Sequence, residues 1–330
     1  MRVLAGDVGG TKVLLQVAEI EGDALRVVAE TRVESAAYDG LASIIVTCLD
    51  AARMESAIDA ACFGVAGPVV SDGGKQSAKV TNLPWVIERE ALAQLLGTPQ
   101  VRLINDFQAQ GYGIEGLTGV DVVTLQAGRE QPRAPRAVLG AGTGLGQGVL
   151  IWQGDHYEAI ATEGGHVDFA PTDALQRELL SYLAAKFGRV SYERILSGPG
   201  IVNLYTFLCD RAGCTVGMTS AVDPAAAITQ AALAGTDPIA LQTLQLFVRI
   251  YGAQAGNVAL SVLAHGGVYI GGGIAPKILP ALTNGEFMRT FCDKGRMGVL
   301  LQTMPVRVIT DPQVGLLGAM LVARRLARAA

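Results

Sequence analysis

The sequence predicts an α/β chain folded as two domains of common design. Short apolar runs of strand period alternate with longer stretches of helical period from one end to the other. The segment LAGDVGGTKVLLQVAEI (4–20) is echoed by VLGAGTGLGQGVLIWQG (138–154), each an apolar run, a glycine loop and a second apolar run. Glycine supplies 41 of 330 residues, about 12% against a usual share of about 7%, gathered into short clusters without a collagen-like period. Such clusters suit loops whose backbone must pass close to something. Half the residues are hydrophobic, so the chain has the length and apolar content for one large or two ordinary domains.

Taken in order, RVLAGDV (2–8), KVLLQVAE (12–19) and LRVVAETRV (25–33) read as three strands joined by turns. Helical spacing follows over 40–53, then a buried strand within AIDAACFGVAG (57–67) that ends in glycine. IEREALAQLLG (87–97) is helical with Gly97 as its stop, VRLIN (101–105) is a strand ending on a polar pair, and a helix opens at FQAQGYGI. From about residue 120 the order partly repeats, with strands at 121–126, 136–142, 146–154 and 156–162. Helices are expected at about 172–187, 198–213, 222–233 and 237–264. Strands at 267–272 and 306–309 and a last helix at 316–329 complete the chain. The echo puts a domain boundary near 107–117, with a cleft between the domains faced by both glycine loops.

Composition narrows the function classes. With 26 Lys and Arg against 30 Asp and Glu, the formal charge is 26 − 30 = −4. Neither a basic cluster nor an aromatic stacking pattern is present, so no nucleic-acid partner is expected. The five cysteines (Cys48, Cys62, Cys209, Cys214 and Cys292) form no CxxC pair and no Cys/His cluster, the usage of reduced thiols in a cytoplasmic protein. The opening MRVLAGDVGG carries an acid at position 7 and is not expected to be a signal peptide. A mean hydropathy of +0.35 makes a membrane span worth testing. The two uncharged stretches of sufficient length, 137–154 and 250–276, are dense in glycine and read as buried strands meeting glycine loops. No membrane association is expected.

Three glycine loops have the chemistry of anion cradles: Gly6–Lys12, Gly140–Gly146 and Gly271–Pro276. Glycine lets backbone N–H groups reach a phosphate, and threonine hydroxyls at Thr11 and Thr143 add donors. The first loop reads GGTK and is followed by a strand, which sets it apart from a P-loop. Each loop taken alone reads first as a hairpin turn; three in one chain, two carrying Gly-Thr, reverse that in favour of the phosphate reading. Asp7 beside a triphosphate would repel it unless a divalent cation intervenes, and Mg²⁺ held through one carboxylate and waters supplies that cation. The stretch Gly111–Gly116 matches GxGxxG but follows a helix start, the reverse of a dinucleotide fold, and reads as a helix ending.

Asn105 and Asp106 end one strand and open a helix, where they serve either as an N-cap or as a general base at the carboxyl end of a strand. Glu163-Gly164-Gly165-His166 places acceptors and a donor beside accessible backbone, as a polar turn or a ligand site. Glu193 is either a surface acid paired with Arg194 or a ligand group. His156 and His265 read as structural.

These pieces in this order resemble bacterial glucokinases of the hexokinase type, the non-ROK group of the actin-like ATPase superfamily. The resemblance runs almost end to end. It rests on GDVGGT (6–11), INDF (104–107), GAGTGLG (140–146), EGGHVDFAP (163–171), ERILSGPGIVNLY (193–205), GGGIAP (271–276), DKGR (293–296) and GLLGA (315–319). ROK kinases carry a cysteine-rich zinc cluster after their EGGH, and none follows here, so no structural zinc is implied. The ROK repressors add a DNA-binding motif before the kinase fold, which this chain does not show.

The resemblance implies two actin-like (ribonuclease H-like) domains with a cleft between them. It gives a smaller domain at 1–112 completed by a C-terminal helix at 313–330, and a larger one at 113–312. It implies that Asp106 is the base for the sugar 6-hydroxyl, with Asn105, Glu163, His166 and Glu193 holding the other hydroxyls. Asp7 would position Mg²⁺ through water. Gly9, Gly10, Thr11, Gly142 and Thr143 would hold phosphates, and Gly272, Gly273 and Pro276 would border the adenosine. The implied reaction is phosphoryl transfer from ATP to glucose, the first step of glycolysis, by a cytoplasmic homodimer. A kinase for mannose, fructose or N-acetylglucosamine, a non-catalytic sugar-binding regulator and an actin-like or chaperone ATPase are the alternatives.

Overall fold

A computed structural model describes residues 1–22, 24–51 and 57–329. They divide into two compact units: Met1–Thr118 with Glu158–Ala161 and the chain from Asp311 onward, and Gly119–Tyr157 with Thr162–Thr310.

The first unit opens with β1 (Arg2–Val8), β2 (Lys12–Glu21), β3 (Ala24–Glu34), helix α1 (Leu41–Ala51) and β4 (Ala60–Val65). Of the helix expected over 40–53, residues 52 and 53 lie outside the described residues. Three short strands follow, β5 (Val69–Asp72), β6 (Lys75–Lys79) and β7 (Val86–Glu88), which pair only with one another. Then come α2 (Arg89–Leu96), β8 (Val101–Asn105) and α3 (Asp106–Gly113). The main sheet has the order β3-β2-β1-β4-β8, antiparallel on the β2 side of β1 and parallel through β4 to β8. Parallel strands covered on both faces lose the apolar alternation, and β4 (AACFGV) is buried at every residue.

The second unit contains β9 (Val122–Gln126), β10 (Arg136–Ala141), β11 (Leu145–Trp152) and helices α4 (Ala174–Phe187), α5 (Gly198–Ala212), α6 (Pro224–Ala234) and α7 (Pro238–Val262). After β13 (Val268–Gly271) come the short helices α8 (Leu279–Leu282), α9 (Glu286–Cys292) and α10 (Gly298–Leu301), then β14 (Val306–Ile309). The intervening β12 (Tyr157–Thr162) contributes its residues Glu158–Ala161 to the first unit. Within the second unit the sheet order runs β11-β10-β13-β14-β9. The run β11-β10-β13-β14 repeats β2-β1-β4-β8 with the same directions. The echo between the two glycine loops is therefore an echo of sheet topology.

The last helix, α11 (Val314–Ala329), belongs to the first unit and packs on α3, β1 and β4. The crossing is close because glycines meet backbone: a Cβ at Gly318 would run into the Ala109 carbonyl, and one at Gly113 into that of Val314. The GxGxxG stretch at 111–116 is thus a helix end and a helix-packing surface.

Caps account for several boundaries. Asp173, Ser197, Asp223 and Asp237 accept the first free N–H groups of α4 to α7, with proline just inside the last three helices. Some expectations need correction. The stretch 250–276, read from its lack of charge as buried strands, is the second half of the helix expected at 237–264, α7, followed by β13. Strands β5 and β6 and helices α8 to α10 fall where no element is expected, and β7 takes the first residues of the helix expected over 87–97, each too short to show a period. No helix among the described residues is long and apolar enough to cross a membrane.

Candidate active site

In the first unit the candidate groups gather at the carboxyl ends of β1 and β8. Asn105 caps α3: its Oδ1 accepts from the Phe107 N–H at 2.7 Å, and its own N–H donates to Gln108 Oε1 at 3.1 Å. Its Nδ2 donates to the Gly67 carbonyl at 3.2 Å. The cap falls to Asn105, which leaves Asp106 in the first turn, half-buried, with Oδ1 accepting from the Phe107 N–H at 2.9 Å. Burial, opposed by that N–H and reinforced by the charge of Asp7, pushes the Asp106 carboxyl up to about 6. Burial also raises Asp7, whose carboxylate accepts no hydrogen bond among the described residues. Two carboxylates lie near one another here, and no cation among the described residues lowers either of them.

Just beyond Asp7, Gly9, Gly10 and Thr11 form the three-residue turn of the β1–β2 hairpin, closed by the Gly9 N–H to the Lys12 carbonyl at 2.9 Å. The hairpin reading of this loop is correct, and it leaves donors over. The N–H groups of Gly10 and Thr11 meet no protein acceptor among the described residues.

The second unit repeats the device. Gly142, Thr143 and Gly144 turn β10 into β11, closed by the Gly142 N–H to the Gly144 carbonyl at 2.8 Å. Glu193 reaches this turn, its Oε2 accepting from the Leu145 N–H at 3.0 Å. His166 lies between two carboxylates, with Nδ1 3.7 Å from Glu193 and Nε2 3.9 Å from Glu163. These distances are too long for direct hydrogen bonds. Glu163, His166 and Glu193, scattered in sequence, are one cluster. Among the described residues no group of three or more His, Cys, Asp and Glu side chains is placed to hold a metal ion.

A cleft of about 960 Å³ opens within the second unit, the size of a small-molecule site. Gly142 and Thr143 line it together with Gly198 and Pro199 at the start of α5. The Gly198 N–H donates to the Gly142 carbonyl at 2.8 Å, so glycine loop and helix N-terminus form one wall suited to an anion. Gly273, Ile274 and Lys277 also line the cleft, but Gly272 and Pro276 do not. Gly272 has φ +78°, and a Cβ there would lie 2.5 Å from the Ala141 carbonyl oxygen. It holds β13 against β10. Pro276 is exposed in the short turn that carries Lys277. Asp223, Thr229, Gln230 and Lys277 line the cleft without any expectation from sequence. The Ser-Gly-Pro-Gly start of α5, the mark of a helix N-terminus, is a local signal that could have found them.

Known proteins resemble this chain over nearly its whole length. The glucokinase family model matches residues 4–326. A glucokinase of Nostoc sp. is 48% identical over 343 aligned positions, spanning 98% of this chain and 99% of the relative. One from Synechocystis sp. is 43% identical over 344 positions, with 96% of each chain covered. The crystal structure of a glucokinase from an Antarctic psychrotroph superposes with a TM-score of 0.87 at 29% identity, covering 98% of this chain and 99% of that one. A ROK-family glucokinase from Streptomyces griseus, solved with glucose and AMPPNP, has a TM-score of 0.63 at 21% identity, a likeness of fold. The match takes in both repeated sheets, both glycine hairpins and nearly all of the returning helix α11, and with the actin-like fold they build, the chain belongs to the glucokinase family.

Proposed function

We propose that this chain transfers the γ-phosphoryl group of MgATP to the 6-hydroxyl of glucose, releasing glucose 6-phosphate and ADP. The observation that carries the reading is Asp106, a half-buried carboxylate at the carboxyl end of β8 whose proton affinity is pushed up to about 6. A base of that strength is ionised at neutral pH yet still takes up a proton readily. Asp106 accepts the 6-hydroxyl proton as O6 bonds to the γ-phosphorus and the bond from that phosphorus to ADP breaks. Transfer of this kind has a loose transition state, so positioning and charge neutralisation do most of the work.

Asn105, Glu163, His166 and Glu193 hold the remaining hydroxyls. After capping α3, Asn105 still has one N–H and one lone pair to offer. The acceptors of Glu163 and Glu193 favour a sugar that carries the matching hydroxyls. Gly9, Gly10, Thr11, Gly142 and Thr143 take the phosphates through their turns. The cleft in the second unit takes the nucleoside, bordered by Gly273, with Gly272 and Pro276 shaping that border from outside.

The residues present suit Mg²⁺. Asp7 is a buried carboxylate without a donor, close enough to Asp106 to raise its proton affinity. Next to it, space remains where a side chain at Gly315 would sit. Mg²⁺ ordinarily takes one or two carboxylates together with waters and phosphate oxygens. Asp7 would hold it through water, and when bound it neutralises phosphate charge. A cytoplasmic, homodimeric enzyme acting on free glucose and ATP completes the reading, on resemblance alone.

A panel of hexoses crossed with ATP, ADP and polyphosphate, read as sugar phosphate formed, tests it. Glucose with ATP is expected to give the highest kcat/KM. A better result with mannose, fructose or N-acetylglucosamine reassigns the acceptor, and sugar binding without turnover makes the chain a regulator. Asp106→Asn is expected to lose about 10²–10⁴-fold in kcat with little change in glucose affinity. Near-parent turnover in that variant removes Asp106 from its role.

A further inference from the structure

The roles assigned so far leave part of the first unit unexplained. Helix α3 carries Asp106 and, four residues on, Gln110, so both lie on one face of the helix. Gln110 Oε1 is buried and has no hydrogen-bond partner, a condition native structures rarely leave uncompensated. Gly315, the second residue of α11, stands next to it. A Cβ at Gly315 would lie 3.8 Å from Asp7 Oδ2 and 3.9 Å from Gln110 Cγ, with nothing nearer. Sterics therefore permit alanine at this position, whereas at Gly318 they forbid it. Glycine in a helix costs stability relative to alanine, so an open volume is kept here against the helix's own preference. Its borders are a carboxylate that accepts no hydrogen bond and the side chain of Gln110, whose buried amide oxygen accepts none.

We infer that this volume holds a water of the Mg²⁺ shell, and that Gln110 is a positioning residue that accepts a hydrogen bond from it. The inference rests on the reading that Asp7 holds Mg²⁺. A metal-bound water donates both its protons, one to Asp7 Oδ2 and one to Gln110 Oε1, which satisfies both acceptors at once. A methyl group at Gly315 would occupy the water's place.

The test titrates Mn²⁺ into the full chain with ADP and glucose present and reads free Mn²⁺ by electron paramagnetic resonance. Gln110→Met and Gly315→Ala are each expected to weaken Mn²⁺ binding by about tenfold or more, the usual loss for an outer-shell partner. Gln110→Glu, which keeps the acceptor, is expected to restore most of the affinity. Metal-free Gly315→Ala is expected to melt no lower than the parent, so its metal defect cannot be a folding defect. If Asp7→Asn leaves Mn²⁺ binding unchanged, the metal reading of the site fails and the inference with it. If Asp7→Asn weakens binding while Gln110→Met and Gly315→Ala stay within twofold of the parent, the inference alone is overturned. Should Gln110→Met fail to fold, Gly315→Ala decides.

Discussion

At neutral pH Asp106 is ionised in surroundings that resist ionisation. Burial and the charge of Asp7 hold its carboxyl at about 6, against the pull of the Phe107 N–H and the N-terminus of α3. Two consequences have opposite pH signs. As a base it works only when deprotonated, so kcat/KM is expected to fall as pH drops through about 6. A pH profile flat from 5 to 8 would exclude it. For stability, the folded form binds the proton more tightly than the unfolded chain, whose carboxyl lies near 3.9. Stability from this group is complete below that value and is lost as pH rises through about 6. Asp106→Asn removes a cost on the order of 2–3 kcal/mol at pH 7.5. The ligand-free variant is expected to melt higher than the parent, by a margin that shrinks toward pH 5. The Asn105-Asp106 pair was legible as a cap or as a base, and the backbone N–H at Phe107 divides the work: Asn105 caps the helix. The charge of Asp7 on Asp106 was not legible, because no periodicity links two strands that pair through β4.

The crossing of α3 with α11 is the element on which the first unit depends. Gly318 and Gly113 bring backbone to backbone there, and a methyl group at Gly318 has nowhere to go because its obstacle is a carbonyl, not a flexible side chain. Gly318→Ala is expected to cost about 1–3 kcal/mol or more, read as a lowered midpoint in urea unfolding. A variant as stable as the parent would mean that the helices can separate without loss. The neighbouring Gly315→Ala is expected to behave oppositely, and the pair distinguishes close packing from reserved space. Helix starts were legible wherever an acid or serine precedes proline, as at Asp223-Pro224 and Asp237-Pro238. Strands β5 to β7 were not, because VVSD, KQSAK and VIE are short and mostly exposed, so no buried face imprints an alternation on them.

Across the whole molecule, one strand order occurs twice, and each copy turns its glycine hairpin between its first two strands. Each copy thus presents a glycine turn of the kind whose backbone N–H groups suit an anion. Binding confined to the native state stabilises it by mass action. Glucose at one hundred times its Kd is expected to add about 2.7 kcal/mol, seen as a raised melting temperature that climbs further with MgATP analogue. No shift with glucose, alongside a shift with another hexose, would move the substrate assignment to that sugar.

The sequence by itself determined the alternation of strand and helix, the two glycine hairpins, the polar pair after VRLIN and the family. All of these rest on local chemistry: side-chain period, turn-forming glycines and caps that act over a few residues. Only the tertiary structure decided that His166 lies between Glu163 and Glu193, that Asp7 raises Asp106, and that α11 returns to set Gly315 beside Asp7 and Gln110. Proton affinity and steric room are set by which surfaces are buried together, and neighbours along the chain do not determine that.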